Sequence, residues 1–318
     1  MSQAVVQVVD MVEVLPREAW IGIVGLFGLF VGSFLNVVVH RLPNPDETVS
    51  KPARSRCPKC RTTLSWKENI PLLSWLVQGA KCRHCRASIH WRYPLIEASN
   101  ALLWASAAAL APAPLSWITL VWCVVFSGLL VATAIDFERF EIPDEVSIGG
   151  MVLAPIVSFL LPDLHAMSPV VDWMVAEGFG LRMAALSTSL LGLAAGGGVL
   201  LAIGWVGSRL YGRDAMGFGD VKLLAAGGGL VGPGGALVAL IVASLVASVA
   251  GVLNMLRFAC FLRRRAAHLG RTDSWGWTLR VARVAGRYLP FGPYLALGLG
   301  IVLVAWKDVL AHWPFVPL

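Results

Sequence analysis

Two aspartates stand where charge is costly. Asp136 directly follows the apolar run 121–135, and Asp220 ends Gly217-Phe218-Gly219-Asp220 just ahead of another apolar stretch. An ionisable side chain at membrane depth is expensive and by default a candidate for function. If the two meet, they cannot both ionise cheaply and so share a proton. One carboxylate then takes a proton from water while its partner protonates or polarises the carbonyl under attack. That is peptide hydrolysis without a covalent intermediate. Gly217 and Gly219 free the backbone beside the acid for a close-lying extended strand. Each acid also has a plain alternative: Asp220 as a helix N-cap, and Asp136 as an interfacial acid near Arg139. GxGD alone is a weak, four-residue signal.

A second cluster is made of sulfur. Cys57-Pro58-Lys59-Cys60 and Cys82-Arg83-His84-Cys85 form two CxxC knuckles with 21 residues between them. The arrangement suits one tetrahedral zinc ion, with a spacing just beyond the usual range. About 50 residues around it offer little apolar material for a core, and metal binding can supply the missing folding energy. Lys59, Lys81, Arg83 and Arg86 offset the charge of four thiolates. With four sulfur ligands the zinc is structural, not catalytic. Two disulfides or a redox pair are the competing readings, and a reducing compartment disfavours the first. His84 and His90 are not required as ligands.

The elements that must position these residues are membrane helices. The 318 residues are 57% hydrophobic and 14% charged, with the apolar residues in long blocks. Crossing a bilayer takes a helix of about 20 mainly apolar residues. Spans are expected near 19–39, 94–111, 115–135, 147–162, 183–206, 221–231, 235–256 and 289–306. The fold class is therefore an all-α polytopic membrane protein of about eight transmembrane helices. The 221–231 stretch is short and glycine-rich, so it must be protein-packed, tilted or re-entrant. Residues 1–18 have neither a basic n-region nor an apolar core, so no cleavable signal peptide is expected.

Eight spans place the loops 40–93, 136–146, 207–222 and 257–288 on one side, and these hold 23 of the 26 Lys and Arg residues. Retained basic residues mark the cytoplasmic face. Both termini are then external, and both aspartates face the cytoplasm. Three parts follow: 1–39 with the first helix, a cytoplasmic four-cysteine zinc-binding domain at 40–93 between helices one and two, and a transmembrane part at 94–318. The 257–288 loop carries Arg263, Arg264 and Arg265 with Trp275 and Trp277. Contact with anionic lipid explains it more simply than nucleic acid does. The 163–181 segment reads as a short external loop without chemistry.

These motifs, in their order, resemble a known family. Gly32-Ser-Phe-Leu-Asn36-Val-Val-Val-His-Arg41-Leu-Pro43 precedes the cysteine knuckles, within which stands Ile70-Pro-Leu-Leu-Ser-Trp75. Then come Ile89-His-Trp-Arg92-Tyr-Pro94-Leu-Ile-Glu97, Ile135-Asp136 through Pro143-Asp144, Met216-Gly-Phe-Gly-Asp220-Val-Lys222, and Leu289-Pro-Phe-Gly292-Pro. The chain resembles the bacterial type IV prepilin leader peptidase/N-methyltransferases over about Gly32 to Gly298.

The resemblance implies catalytic Asp136 and Asp220, with Asp144, Gly217, Gly219 and Lys222 in support. It implies cleavage of a basic leader from type IV prepilins or type II secretion pseudopilins at the cytoplasmic face of the bacterial inner membrane. It also implies methylation of the new N-terminal residue from S-adenosylmethionine, for which no glycine-rich fingerprint marks a site. The acids Asp136, Glu138, Glu141, Asp144 and Glu145 would attract a basic leader electrostatically. Two features depart from the pattern: Asp214 replaces an expected glutamate, and the 257–288 loop is long. A presenilin-like protease shares GxGD but carries its first acid inside a membrane helix, whereas Asp136 is expected to head a loop. A transporter or assembly scaffold is the non-enzymatic alternative.

Overall fold

The computed structural model describes residues 15–44, 48–50, 54–166, 168–212, 216–268 and 290–312. Asp214 and most of the basic 257–288 loop lie outside the described residues. Among those described, regular structure is helical, with two isolated β-bridges. The chain divides into two compact units, Met1–Ile135 and Asp136–Leu318.

The first unit contains α1 (Arg17–Arg41), a short α2 (Leu73–Val77), α3 (Arg92–Leu110) and most of α4 (Trp117–Arg139). Close packing of α1 on α3 depends on missing side chains. A Cβ on Gly32 would sit 2.8 Å from the Glu97 backbone, and one on Gly28 would sit 2.7 Å from the Trp104 side chain. Where helices pack this tightly, buried polar groups must pair with one another. Asn100 donates to the Gly28 carbonyl at 2.7 Å, Ser127 donates to Asn100 at 2.9 Å, and Trp104 donates to Ser127 at 2.9 Å. This chain of bonds ties α1, α3 and α4 together.

The second unit holds the last turn of α4, α5 (Asp144–Leu160), a 3-10 turn (Pro162–His165), α6 (Pro169–Ala176), α7 (Leu181–Tyr211), α8 (Phe218–His268) and α9 (Gly292–His312). A straight helix of the length of α8 would run about 77 Å, more than twice a bilayer core. Instead α8 breaks at Gly232, with φ 76° and ψ 174°, immediately before Pro233. A Cβ on Gly228 would lie 3.2 Å from Cβ of Ala236. Along a continuous helix those positions would be roughly 12 Å apart. The two arms therefore fold back on each other as a hairpin, an ascending arm 218–231 and a returning arm from 233. They correspond to the separate helices that the sequence predicts at 221–231 and 235–256.

Glycines let this hairpin pack on its neighbours. Gly192 of α7 and Gly228 of α8 meet backbone to backbone, with no room for a Cβ on either. Gly298 of α9 abuts the Ala239 carbonyl of the returning arm, and Gly227 abuts Leu299. Among the described residues, four helices, α1, α4, α7 and α8, are long and apolar enough to cross a membrane.

Three expectations are corrected. Asp136 does not head a loop, because α4 continues through Arg139 and ends where Phe140 adopts φ 59°. The 163–181 segment is not plain loop: it forms the 3-10 turn and α6, and it buries His165. The basic loop does not begin at 257, since α8 stays helical through Arg263, Arg264 and Arg265 to His268.

Candidate active site and metal centre

Asp136 sits in the last turn of α4, 5% exposed. Its Oδ2 accepts a hydrogen bond from the backbone amide of Gly292, at the start of α9, at 3.0 Å. The first N–H groups of a helix have no intrahelical acceptor and are natural donors to a carboxylate. Phe140, in a left-handed conformation rare for a bulky residue, reverses the chain after α4. The reversal brings Ile142 back beside the acids. A Cβ on Gly292 would lie 3.0 Å from Cδ1 of Ile142, and a Cβ on Gly219 would lie 3.0 Å from its Cβ. Ile142 is thus wedged between the glycine that holds Asp136 and the glycine that precedes Asp220.

Asp220 is half-buried and is the third residue of α8, past the cap position. Its Oδ2 lies 3.2 Å from where a Cβ of Gly217 would stand. It is also near enough to Asp136 for direct electrostatic interaction between the two carboxyls. Two acids 84 positions apart in sequence therefore converge on one spot. Asp144 opens α5 without capping it, and its carboxylate pairs with the Lys222 ammonium. Sequence reasoning missed Ile142 and the role of Gly292. The Gly292-Pro293 pair at a helix start was the available signal for the latter.

Such an arrangement can hold one proton between two carboxyls; Glu138, Glu141 and Glu145, which follow Asp136 in sequence, are exposed. Two carboxyls so placed have the chemistry for general acid and base catalysis.

In the first unit the two knuckles share one geometry. Arg61 and Arg86, with φ 58° and 59°, each follow the second cysteine of a knuckle. Their amides donate to the carbonyls of Cys57 and Cys82, each at 2.9 Å. The amides of Cys57 and Cys82 in turn donate to the carbonyls of Thr62 and Ala87, at 3.0 and 2.8 Å. All four sulfurs lie within 4.8 Å of one another, and Cys57 and Cys85 are 3.8 Å apart. Tetrahedral zinc with bonds of about 2.3 Å sets its sulfurs roughly 3.8 Å apart, so the donor set fits. All four are free thiols. Hydrogen bonds from the Thr62 side chain and backbone draw the Cys60 thiol down to about 6. Cys85 goes up to about 11: the Ala87 amide lowers it, but desolvation and the neighbouring sulfurs outweigh that pull. A cluster in which one thiolate opposes the next is one that a cation would relieve. His84 pairs with Glu68 at 3.4 Å.

Comparison with known proteins bears on both sites. Residues 26–111 match the Bacterial Peptidase A24 N-terminal domain, and residues 123–252 match the Type IV leader peptidase family. A prepilin leader peptidase/N-methyltransferase of Aeromonas hydrophila is 32% identical, over 92% of this chain and 93% of its own. Proteins of the same name from Pseudomonas aeruginosa and Burkholderia pseudomallei strain 1026b are 31% and 34% identical. They cover 90% and 89% of this chain, and 90% and 85% of their own. No solved structure matches the chain. With identity at this level over nearly the whole length of both chains, the protein belongs to the type IV leader peptidase family, among the prepilin leader peptidase/N-methyltransferases.

Proposed function

We propose that the protein cleaves the basic leader from type IV prepilins or type II secretion pseudopilins, using Asp136 and Asp220 as an aspartyl pair, and then methylates the new N-terminus. The observation that carries this reading is the convergence of the two acids around Ile142, between Gly219 and Gly292. In the reaction the ionised carboxyl takes a proton from water, whose oxygen bonds to the scissile carbonyl carbon. The protonated partner gives its proton to the carbonyl oxygen. On collapse the C–N bond breaks, one hydroxyl of the tetrahedral intermediate returns its proton to the partner carboxylate, and the amine leaves with the proton first taken from water, which restores the singly protonated pair.

The chain crosses the inner membrane eight times in this reading: α1, α3, α4, α5, α7, the two arms of α8, and α9. The α8 hairpin supports it, because counting α8 as two crossings keeps 23 of the 26 basic residues on one face. That face is cytoplasmic and carries the acids, and the termini are external. Residues 40–93 form a separate cytoplasmic domain in which Cys57, Cys60, Cys82 and Cys85 hold one structural zinc ion. Asp144, Lys222, Gly217 and Gly219 support the acids. The methyl donor is S-adenosylmethionine. Partners are the prepilin substrate and the lipid bilayer, and nucleic acid plays no part.

The test is mass spectrometry of a purified prepilin incubated with the purified protein. Leader release without S-adenosylmethionine, and a mature subunit heavier by one methyl group with it, is the expected result. An uncut prepilin would dismiss the reading in favour of a transporter or scaffold.

A further inference from the structure

The α8 hairpin turns at a proline. Pro233 has no amide hydrogen, so the Gly229 carbonyl, four residues back, loses the donor that a continuous helix would give it. A backbone acceptor at the end of a short helix packed inside an apolar protein cannot go unpaired cheaply. It is paired from outside α8. The hydroxyl of Ser158, near the end of α5, donates to the Gly229 carbonyl at 3.4 Å. Nε2 of His165 lies 2.9 Å from the same hydroxyl. A hydroxyl has one proton: with that proton given to Gly229, its oxygen accepts from the imidazole N–H. Ser158 is fully buried and His165 is 3% exposed. Burial pushes the imidazole down to about 4, against a smaller opposing effect of the Gly229 carbonyl. The ring is therefore neutral at physiological pH and keeps a single N–H to give.

The rest of the arm is held by the same helix. At its near end Asp144 pairs with Lys222. Midway, Gly150 and Ala154 of α5 meet Ala226 and Gly229 with only small atoms between them. Gly192 and Gly196 of α7 and Leu299 of α9 pack against the same stretch by van der Waals contact, and the polar ties from α5 lie at its two ends. From Gly229 to Asp220 the helix runs roughly 14 Å. A tilt of about 5° at Gly229 would carry Asp220 by roughly 1 Å, and a displacement of that size can cost on the order of 100-fold in rate.

We propose that Ser158 and His165 form a positioning device for Asp220: they supply the hydrogen bond that Pro233 withholds and so fix the tilt of the short helix that carries the acid. This rests on reading Asp220 as one of the catalytic pair. It gives a function to the 162–176 segment, whose 3-10 turn reaches in to cover the hairpin tip.

Three variants in the full-length protein test it: His165→Phe, which fills the space without a donor; His165→Gln, which restores an N–H at a similar distance; and Ser158→Ala. Leader cleavage is read as separate kcat and KM values across pH, and hydrogen exchange is read over residues 222–231. His165→Phe and Ser158→Ala should lower kcat about tenfold or more, leave KM within about twofold, move the limbs of the pH–rate profile and speed exchange. His165→Gln should recover most of the loss. A folded His165→Phe with unchanged kcat, pH profile and exchange would overturn the proposal, as would a His165→Gln no better than His165→Phe. If His165→Phe cannot be recovered folded, Ser158→Ala is read the same way, with Ser158→Thr as its restoring variant. Should Asp220→Asn prove fully active, the catalytic reading falls separately, and the exchange of 222–231 alone decides whether the clamp exists.

Discussion

The backbone amide of Gly292 donates to Oδ2 of Asp136 at 3.0 Å across 156 positions of sequence. The contact fixes a buried acid at the end of α4 with a donor that the first turn of α9 leaves unused. It also explains why position 292 has no side chain.

A Cβ at position 292 would stand 2.5 Å from Oδ2 of Asp136 and 3.0 Å from Cδ1 of Ile142. Gly292→Ala must therefore push the carboxylate aside or shift α9. Leader cleavage is expected to fall on the order of 100-fold in kcat with little change in KM. Steady-state kinetics check this, and a wild-type kcat would show that the amide contact is dispensable.

The Lys222 to Asp144 pair is a weaker matter, because the Asp144 side chain is 60% exposed and well screened. Exposed pairs contribute about 1 kcal/mol or less, so Asp144→Asn and Lys222→Met should each cost no more than about fivefold in activity. The exchanged pair Asp144→Lys with Lys222→Asp should recover part of that loss. A loss of about 1000-fold in Asp144→Asn alone would instead give Asp144 a direct part in the chemistry.

Glu138, Glu141 and Glu145 are exposed and lie within nine positions of Asp136 in sequence. Their field should draw in a basic leader and be screened by salt over about 10 Å at 0.1 M. Replacing all three by glutamine is expected to raise KM several-fold, to leave kcat near wild type and to flatten the dependence of KM on ionic strength. A KM insensitive to both changes would remove leader attraction from the account.

The cysteine cluster should hold about one zinc ion per chain. The folded Cys60 thiol lies near 6, below its ordinary value of 9.0. Its preference for the folded domain is thus complete above about pH 9 and fades as pH falls through about 6. Protons compete with the metal over the same range. Zinc measured by metal analysis should be retained at about pH 8 and lost well below about pH 6. It should be absent from Cys57→Ser/Cys82→Ser at any pH, and full metal in that double variant would eliminate the site.

Much of this is legible in the residues, for reasons that differ by site. Apolar blocks announce helices by length alone, and two CxxC pairs announce a sulfur cluster because ligand spacing is local. The gap between the apolar stretches 221–231 and 235–256 likewise anticipates the break in α8, which falls at Gly232 just before Pro233. What stays hidden depends on contacts distant in sequence. Nothing near Asp136 foretells the Gly292 amide. Nothing near His165 shows that it lies under a proline-broken helix, so its segment has the look of an ordinary loop. The end of α4 is misjudged from sequence because a charged residue suggests a helix boundary at Asp136. Backbone hydrogen bonding instead carries the helix on to Arg139, and the reversal at Phe140 ends it.

Single-turnover cleavage of a purified prepilin by Asp136→Asn and Asp220→Asn, each shown to be inserted and folded as the wild type, tests the central claim most directly. Each variant removes an ionisable oxygen while keeping the shape of the side chain. Leader release should fall by at least about 10³-fold in both, and no further when the two changes are combined, because the acids act as a unit. Cleavage at the wild-type rate by either variant would contradict the account.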